Sequence, residues 1–558
     1  MQIIVPMSGF GERFRRAGYS VPKPLIEVDG KPVIAHVIDL FPGETDFLFI
    51  CNEDHLAAPE YRMAEILKAH CPTGRIVAIP PHRLGPVHAV LQAAEEIDPD
   101  APAIVNYCDF TCYWDYADFK RFVAETECDG AIPAYRGFHP HSLGSTFYAY
   151  IRERGLWAYD IREKQPFTDD PLNEFASSGT YYFRSGRLML DAFAAQRDRN
   201  LTVGGEFYAS LACKPLFEAG RAIAVYALQH FMQWGTPGDL ETYVHWSNVF
   251  RRLAEPPAPR ARHEGAVLIP AAGLGSRFAR EGYGLPKPLI GVSGRPMLKQ
   301  ALAALPHAPR TRIVLRRDAP GAGTLEETLK AHMPEAELLW IDRVTDGQAR
   351  TCMLGLAGLD EDAPLTIGAC DNGLLYNSSR LQALLDDPQA DVIVWGMRGY
   401  PAARLRPAQF GWIDADEAGK VRGVSVKTPP ASPETDPVIT GTFTFRRTGD
   451  FRRAAERLFA RGGRVNGEYY VDSLIGDAVA LGLHCRLFEV DHYLGWGTPD
   501  ELKTFDYWQS CFHKWPSHPY RLEADGNVPA GARAGLERRA RAFRPGRPAV
   551  RERASIAE

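Results

Sequence analysis

No stretch of this 558-residue chain approaches the roughly 20 consecutive apolar residues that a membrane helix needs, so no membrane insertion is expected. The chain also lacks a charge excess. A formal net charge of −5 carries neither the basic footprint of a nucleic-acid binder nor an acidic tail, and no nucleic-acid partner is expected. Its ten cysteines contain no CxxC pair, and the nearest two, Cys108 and Cys112, lack the spacing and partner histidines of a zinc site. Reduced thiols in a cytosolic chain are the expectation. The opening MQIIVPMSGF has neither a basic n-region nor a long apolar h-region, which again points to a cytoplasmic protein. With 45% apolar and 24% charged residues the composition is that of a globular protein, long enough for two or more domains.

The chain repeats itself. IIVPMSGFGERFRRAGYSVPKPLIEVDGKP, Ile3 to Pro32, recurs as VLIPAAGLGSRFAREGYGLPKPLIGVSGRP, Val267 to Pro296. Gly85 then matches Gly347, Cys108-Asp109 matches Cys370-Asp371, Lys164 matches Lys427, Gly179 matches Gly441 and Glu206 matches Glu468. The repeat closes with Trp-Gly-Thr-Pro at 234–237 and 496–499, the offset holding between 262 and 264 residues throughout. Scattered motifs that converged independently would not keep one offset, so the chain is read as two copies of one domain, 1–254 and 265–523. The Pro-rich stretch 255–264 between them reads as a stiff linker. From 524 to 558 the sequence dissolves into Gly, Ala, Pro and Arg, and a disordered basic tail is expected, an inert extension more than a contact for an acidic partner.

In each copy a short apolar run, IIVP or VLIP, breaks into a Gly-x-Gly loop and a helix, an α/β signature. Gly9 and Gly11, and Gly273 and Gly275, let backbone N–H groups approach an anion while the helix start adds its dipole; a tight turn needed only for packing is the alternative. Arg13 and Arg277 follow, then Lys23 and Lys287 in Tyr-x-x-Pro-Lys-Pro-Leu, cations suited to phosphate oxygens or simply surface charges. Asp109 and Asp371 end the apolar runs AIVNYCD and LTIGACD, where a carboxylate can carry Mg2+ or cap a helix. Cys108 and Cys370 beside them are read as core residues.

Together the GxGxRF loop, PKPL, the strand-end Asp, Glu163-Lys164, Gly179-Thr180-Tyr181-Tyr182-Phe183 and GTP-x-x-L resemble the nucleotidylyltransferase family that makes nucleotide sugars. The resemblance implies two tandem Rossmann-like domains, each a mixed, mostly parallel sheet flanked by helices. It implies a Mg2+ cofactor and attack by a sugar-phosphate oxygen on the α-phosphorus of a nucleoside triphosphate, with surface polysaccharide synthesis as the expected setting. Carried over to this chain, Gly9, Gly11 and Arg13 hold the triphosphate, Lys23 meets the reacting phosphate, Asp109 holds the metal, and Glu163 and Lys164 hold a sugar hydroxyl and the sugar phosphate. Arg277, Lys287, Asp371 and Lys427 are the second-copy counterparts. Alignment and charge neutralisation carry most of such a reaction. Gly85 and Gly347 are read as close approaches to a nucleobase, Gln348 adding hydrogen bonds to it, or as simple turns. Gly179 lies on the substrate side. A homo-oligomer is common in the family and stays open.

Three departures qualify the resemblance. Where many relatives carry a second metal-binding aspartate, two residues before the Gly of GTP, this chain has Gln233 and Gly495. Asp491, or Glu206 and Glu468, are candidates to replace it, the last two alternatively ordering a lid. Val426 stands where the first copy has Glu163, so the second copy should keep a phosphate contact and lose a sugar contact. The first copy is therefore read as the sugar-phosphate site. A cytidylyltransferase with a non-sugar phosphate acceptor and a partly non-catalytic regulatory or scaffold protein remain as rivals. His139 and His141 are read as a polar loop near the acceptor, and the aromatic-rich 243–246 and 507–515 as apolar helix faces.

Overall fold

The computed structural model describes residues 1–144, 148–430, 432–541 and 545–548. Contacts divide the chain into two units, 1–247 with 514–518 and 540–558, and 248–513 with 519–539. The division falls inside a helix, Pro237–Leu253, which ends one residue before the expected end of the first copy, rather than in the Pro-rich stretch. Residues 255–260 are exposed and belong to no helix or strand.

The first unit is built on a ten-stranded mixed sheet. Gln2–Met7, all six residues buried, lies parallel between Phe47–Asn52 and Ala103–Asn106, with Arg75–Ile79 outermost. Such runs read as near-continuous apolar sequence because both faces are covered. Beyond Ala103–Asn106 comes Thr180–Phe183, antiparallel to its neighbours, then Gly130–Tyr135 and Ile223–Leu228, parallel to each other. Parallel pairing is thus concentrated on the side that carries the Gly-x-Gly loop, and the strands Trp157–Glu163, Ala149–Arg154 and Phe175–Ser177 finish the sheet antiparallel.

The second unit, built on a nine-stranded sheet, repeats this order over seven strands. Glu337–Ile341, Arg310–Arg316, Ala266–Pro270, Leu365–Ile367, Val438–Phe445, Val392–Met397 and Cys485–Glu489 take the places of the seven strands of the first from Arg75–Ile79 to Ile223–Leu228. Each unit also carries a two-stranded ribbon that follows the strand-end aspartate: Phe110–Tyr113 with His230–Gln233, and Asn372–Leu375 with His492–Gly495. The matching order supports the reading of a duplication in structural terms.

Two expectations fail here. The chain from 524 to 541 is not structureless: Asp525 is buried and accepts from Tyr520 Oη (2.9 Å) and Asn527 N (2.8 Å), Val528 and Leu536 are buried, and Ala530–Arg541 is helical. Two apolar side chains and one satisfied carboxylate are enough to seat a segment whose composition reads as tail. Further on, Arg547 pairs with Asp118 (2.8 Å) and Glu125 (2.9 Å), so an acidic partner exists within the chain itself. Residues 542–544 and 549–558 lie outside the described residues. His139 and His141 are the second failure. They pack on the Tyr135 ring at 4.6 and 5.2 Å, part of an aromatic cluster and not a polar loop, and burial pushes the His139 imidazole down to about 4. The helix faces read from 243–246 and 507–515 do pack inward, with Tyr243, Trp246, Trp508 and Phe512 buried.

Candidate functional site

The strand Gln2–Met7 is followed by Ser8, and the chain turns through Gly9 to Gly11, whose φ of 62° favours a residue without a β-carbon. Gly275 repeats that φ. A side chain on Gly9 or Gly273 would meet nothing within 4 Å, so these two glycines answer no internal packing demand. The helices that follow, Glu12–Arg16 and Ser276–Arg280, are only five residues long. The expected dipole contribution is therefore small, and loop amides are left as the main polar surface. Arg13 and Arg277 stand exposed on these turns.

Pro22 and Pro24 set a short 3-10 turn, Lys23–Leu25, that aims Lys23 at the end of the parallel strands. Its ammonium lies 2.7 Å from Asp109 Oδ2 and donates to Gly235 O at 3.2 Å. Lys287 does the same to Asp371 Oδ2 and, at 3.2 Å, to Gly497 O. Burial works against the Lys287 charge, but Asp371 outweighs it and holds the ammonium above its ordinary range. Main-chain bonds from Trp234 N to Asp109 O and from Trp496 N to Asp371 O, both 2.9 Å, fix the closing motif against the aspartate in each copy. Half-buried Cys108 and Cys370 precede the aspartates, and burial pushes both thiols up to about 12, which leaves them protonated.

A second group of residues collects around Lys164. It follows the strand Trp157–Glu163 with φ 59°, as does Lys427 in the second copy, an uncommon conformation for a residue with a side chain. Lys164 Nζ donates to Tyr208 Oη at 2.5 Å, and Tyr208 Oη donates to Glu206 Oε2 at 2.6 Å. Glu163 Oε2 accepts from Ser210 Oγ at 2.6 Å; burial raises its carboxyl, with Ser210 and Lys164 opposing. Glu206 is thus committed to Tyr208. Asp491, four residues along its strand segment from Gly495, stands roughly 13 Å away and pairs loosely with Arg380. In this structure Glu206 is engaged by Tyr208 and Asp491 by Arg380.

Gly85 and Gly347 hold the segment that carries Glu206 and Glu468. With φ 86° and ψ 177°, and φ 138° and ψ 166°, they occupy a region essentially reserved for glycine. A β-carbon on Gly85 would lie 2.8 Å from Phe207 N, and one on Gly347 2.3 Å from Tyr469 N. Their close approach is to the protein's own backbone, with Phe207 N donating to Leu84 O (2.8 Å) and Tyr469 N to Asp346 O (2.9 Å). Gly179, φ 93°, packs on Tyr107, whose hydroxyl accepts from Ala209 N at 3.0 Å, so it too supports the 206–210 segment.

Sequence reasoning missed three acids. Asp239, in the first turn of Pro237–Leu253, accepts from Thr236 N (3.1 Å), Thr236 Oγ1 (2.6 Å) and Gln233 Nε2 (3.1 Å). Its counterpart by the 262-residue offset is Glu501, which accepts from Thr498 Oγ1 at 3.1 Å. Burial raises both carboxyls, and the charge of Asp371 raises Glu501 further. The third is Asp472, which stands at the offset of Ser210. Val426 replaces Glu163, and Asp472 replaces the serine that faces it, so the second copy keeps a carboxylate but presents it from the opposite side. Burial lifts Asp472 to about 6, against the pull of Lys427, whose own ammonium burial lowers. A carboxylate expected to be missing from the second copy is thus supplied at another position. The signal was in the sequence, a paired exchange at 163/426 and 210/472.

Residues 3–163 match the model of the MobA-like NTP transferase domain. The chain is 27% identical over 179 residues to the mannose-1-phosphate guanyltransferase of Schizosaccharomyces pombe, covering 31% of this chain and 48% of that protein. It is 36% identical over 110 residues to the bifunctional protein GlmU of Paraburkholderia phytofirmans, covering 20% and 22%. These matches span about half the length of the relatives, or less. Among solved structures, a nucleoside-diphosphate-sugar pyrophosphorylase from Vibrio cholerae aligns with 43% of this chain and 98% of its own at 21% identity and a TM-score of 0.35.

Proposed function

We propose, on the premise that residues 3–163 belong to the MobA-like NTP transferase family of sugar-phosphate nucleotidyltransferases, that the protein transfers a nucleotidyl group from a nucleoside triphosphate to a phosphorylated acceptor, a sugar phosphate in the first copy. The observation that carries this reading is the ammonium held between a strand-end carboxylate and a main-chain carbonyl beside a Gly-x-Gly loop, built twice with the same partners: Lys23 with Asp109 and Gly235, Lys287 with Asp371 and Gly497.

The loop amides and Arg13 bind the triphosphate. Lys23, released from Asp109 when phosphate arrives, neutralises the oxygens at the phosphorus under attack, and Lys164 aligns the acceptor phosphate as nucleophile. Glu163 accepts a hydrogen bond from an acceptor hydroxyl once Ser210 yields it. Among the described residues no three acids, histidines or cysteines stand together to hold a metal by themselves; Asp109 and Asp371 would each supply carboxylate oxygens to an ion carried by the triphosphate, and bound Mg2+ would add charge neutralisation on the phosphates. In the second copy Asp472 approaches the acceptor from the other wall, which favours a different phosphorylated acceptor there.

Mg2+-dependent pyrophosphate release across a panel of triphosphates and phosphorylated acceptors tests the reading, with Asp109→Ala and Asp371→Ala measured separately. Loss of release with sugar phosphates in the Asp109 variant alone supports it. Release that survives both variants overturns it.

A further inference from the structure

The two Gly-x-Gly loops differ in how they are fastened. In the first copy the segment between the strand Arg75–Ile79 and the helix Pro86–Gln92 reaches across to the loop. His82 Nε2 lies 3.1 Å from Ser8 Oγ. Arg83 Nη1 donates to Glu12 Oε2 at 3.0 Å, and its guanidinium lies 5.2 Å from the centre of the Phe10 ring, which Arg15 approaches at 6.0 Å. The second copy holds Ala272, Leu274, Ser276 and Ala279 where the first has Ser8, Phe10, Glu12 and Arg15, and Val344 and Thr345 where it has His82 and Arg83. Every member of the fastening is exchanged. Thr345 Oγ1 turns instead to Gly347 O, 2.9 Å away in its own segment. Among the described residues no hydrogen bond joins 271–276 to 343–347, and Leu274 and Val344 stand 66% and 47% exposed.

A third group fixes the direction of the Ser8–His82 bond. Leu84 N donates to His82 Nδ1 at 3.2 Å, so Nδ1 carries no hydrogen. Burial, with the neighbouring His88, lowers the imidazole below its ordinary value and keeps it neutral at pH 7. The ring hydrogen is then on Nε2, and Ser8 Oγ is the acceptor. The hydrogen of the Ser8 hydroxyl is left without an acceptor among the described residues, although Ser8 is only 4% exposed. A buried donor with no partner is rare in a folded protein. Gly9 follows at once, and the space a β-carbon there would enter is empty to 4 Å. An anion seated on the loop amides would supply the missing acceptor.

We propose that Ser8 is a further triphosphate-binding residue of the first copy, a hydroxyl donor to a phosphate oxygen, and that His82 is the residue that positions it. The second copy, with Ala272 and Val344, has neither. A hydrogen bond to a charged oxygen is stronger than one between neutral groups, so a single such donor changes affinity measurably. The inference rests on the nucleotidyl-transfer reading for the identity of the anion.

The full chain carrying Lys287→Ala, in which only the first copy's loop is left to bind, is titrated calorimetrically with inorganic tripolyphosphate, UTP and GTP, each with Mg2+ present. Ser8→Ala and His82→Ala should each weaken binding about tenfold or more. Tripolyphosphate and both nucleotides should lose alike, since the contact is to phosphate. Together the two substitutions should cost no more than either alone, the signature of one residue acting through the other. His82→Gln keeps an N–H donor for Ser8 and should retain most of the affinity. It also carries the test if melting curves show that His82→Ala does not fold. Wild-type affinity in Ser8→Ala, additive losses in the double variant, or equal losses in His82→Gln and His82→Ala overturn the inference. If none of the three anions binds the Lys287→Ala chain before Ser8 is changed, it is the reading beneath that fails.

Discussion

Lys164 and Lys427 share a φ of 59°, which costs a residue with a β-carbon roughly 1–3 kcal/mol and persists only where the surroundings over-determine it. Lys164 donates to the Tyr208 hydroxyl, whereas Lys427 donates to Gln409 O and lies 5.9 Å from the Tyr470 ring. Lys164→Ala should raise KM for the acceptor with little effect on triphosphate affinity, whereas Lys23→Ala should lower kcat about 10²- to 10³-fold; steady-state pyrophosphate release separates the two. Asp472 gives a pH test. Its carboxyl titrates near 3.8 in the unfolded chain and at about 6 in the fold, so the native state holds the proton longer. Stability contributed by this group therefore falls as pH rises from about 4 to about 6 and stays reduced above that. Asp472→Asn should stabilise on the order of 1–2 kcal/mol at pH 7, discounted for partial exposure, and by nothing at pH 4. Melting curves at both values check this, and an equal gain at each would contradict it. At this scale the lysines and strand-end aspartates were legible because short motifs carry them. Asp239, Glu501 and Asp472 were not, since no short motif carries them and their burial is set by tertiary packing.

Among elements, the segment bearing Glu206 is held by the close backbone approach at Gly85 as well as by the bonds Tyr208 and Ser210 make to Lys164 and Glu163. Gly85 accepts a φ and ψ that other residues avoid, and a β-carbon there would collide with Phe207 N at 2.8 Å. Gly85→Ala should cost about 1–3 kcal/mol or more, and should move Tyr208 off Lys164 so that the acceptor KM rises. A melt and a KM measurement check it together; an unchanged acceptor KM would return Gly85 to a purely local turn. The glycine itself could be read from the repeat, but the partner it approaches lies some 120 residues away in sequence, and nothing in local pattern names it. The opposite holds for the loop helices. Their start was legible, yet the five-residue length removes most of the dipole that the sequence led one to expect.

For the whole molecule the duplication was legible from a fixed offset, and the repeated order of seven strands agrees with it. The tail was misread because composition alone does not register two buried apolar side chains and a buried Asp525. Glu163 accepts from Ser210 in the first copy, and Val426 and Asp472 stand at those two positions in the second; on the proposed reading the copies take different acceptors, and Asp109→Ala and Asp371→Ala should abolish activity toward different ones. The most direct measurement is calorimetric titration of a nucleoside triphosphate with Mg2+ into the full chain and into Lys23→Ala and Lys287→Ala. Two sites per chain, each lost in one variant, are expected; no binding, or binding indifferent to both lysines, would contradict the assignment of these loops to polyphosphate.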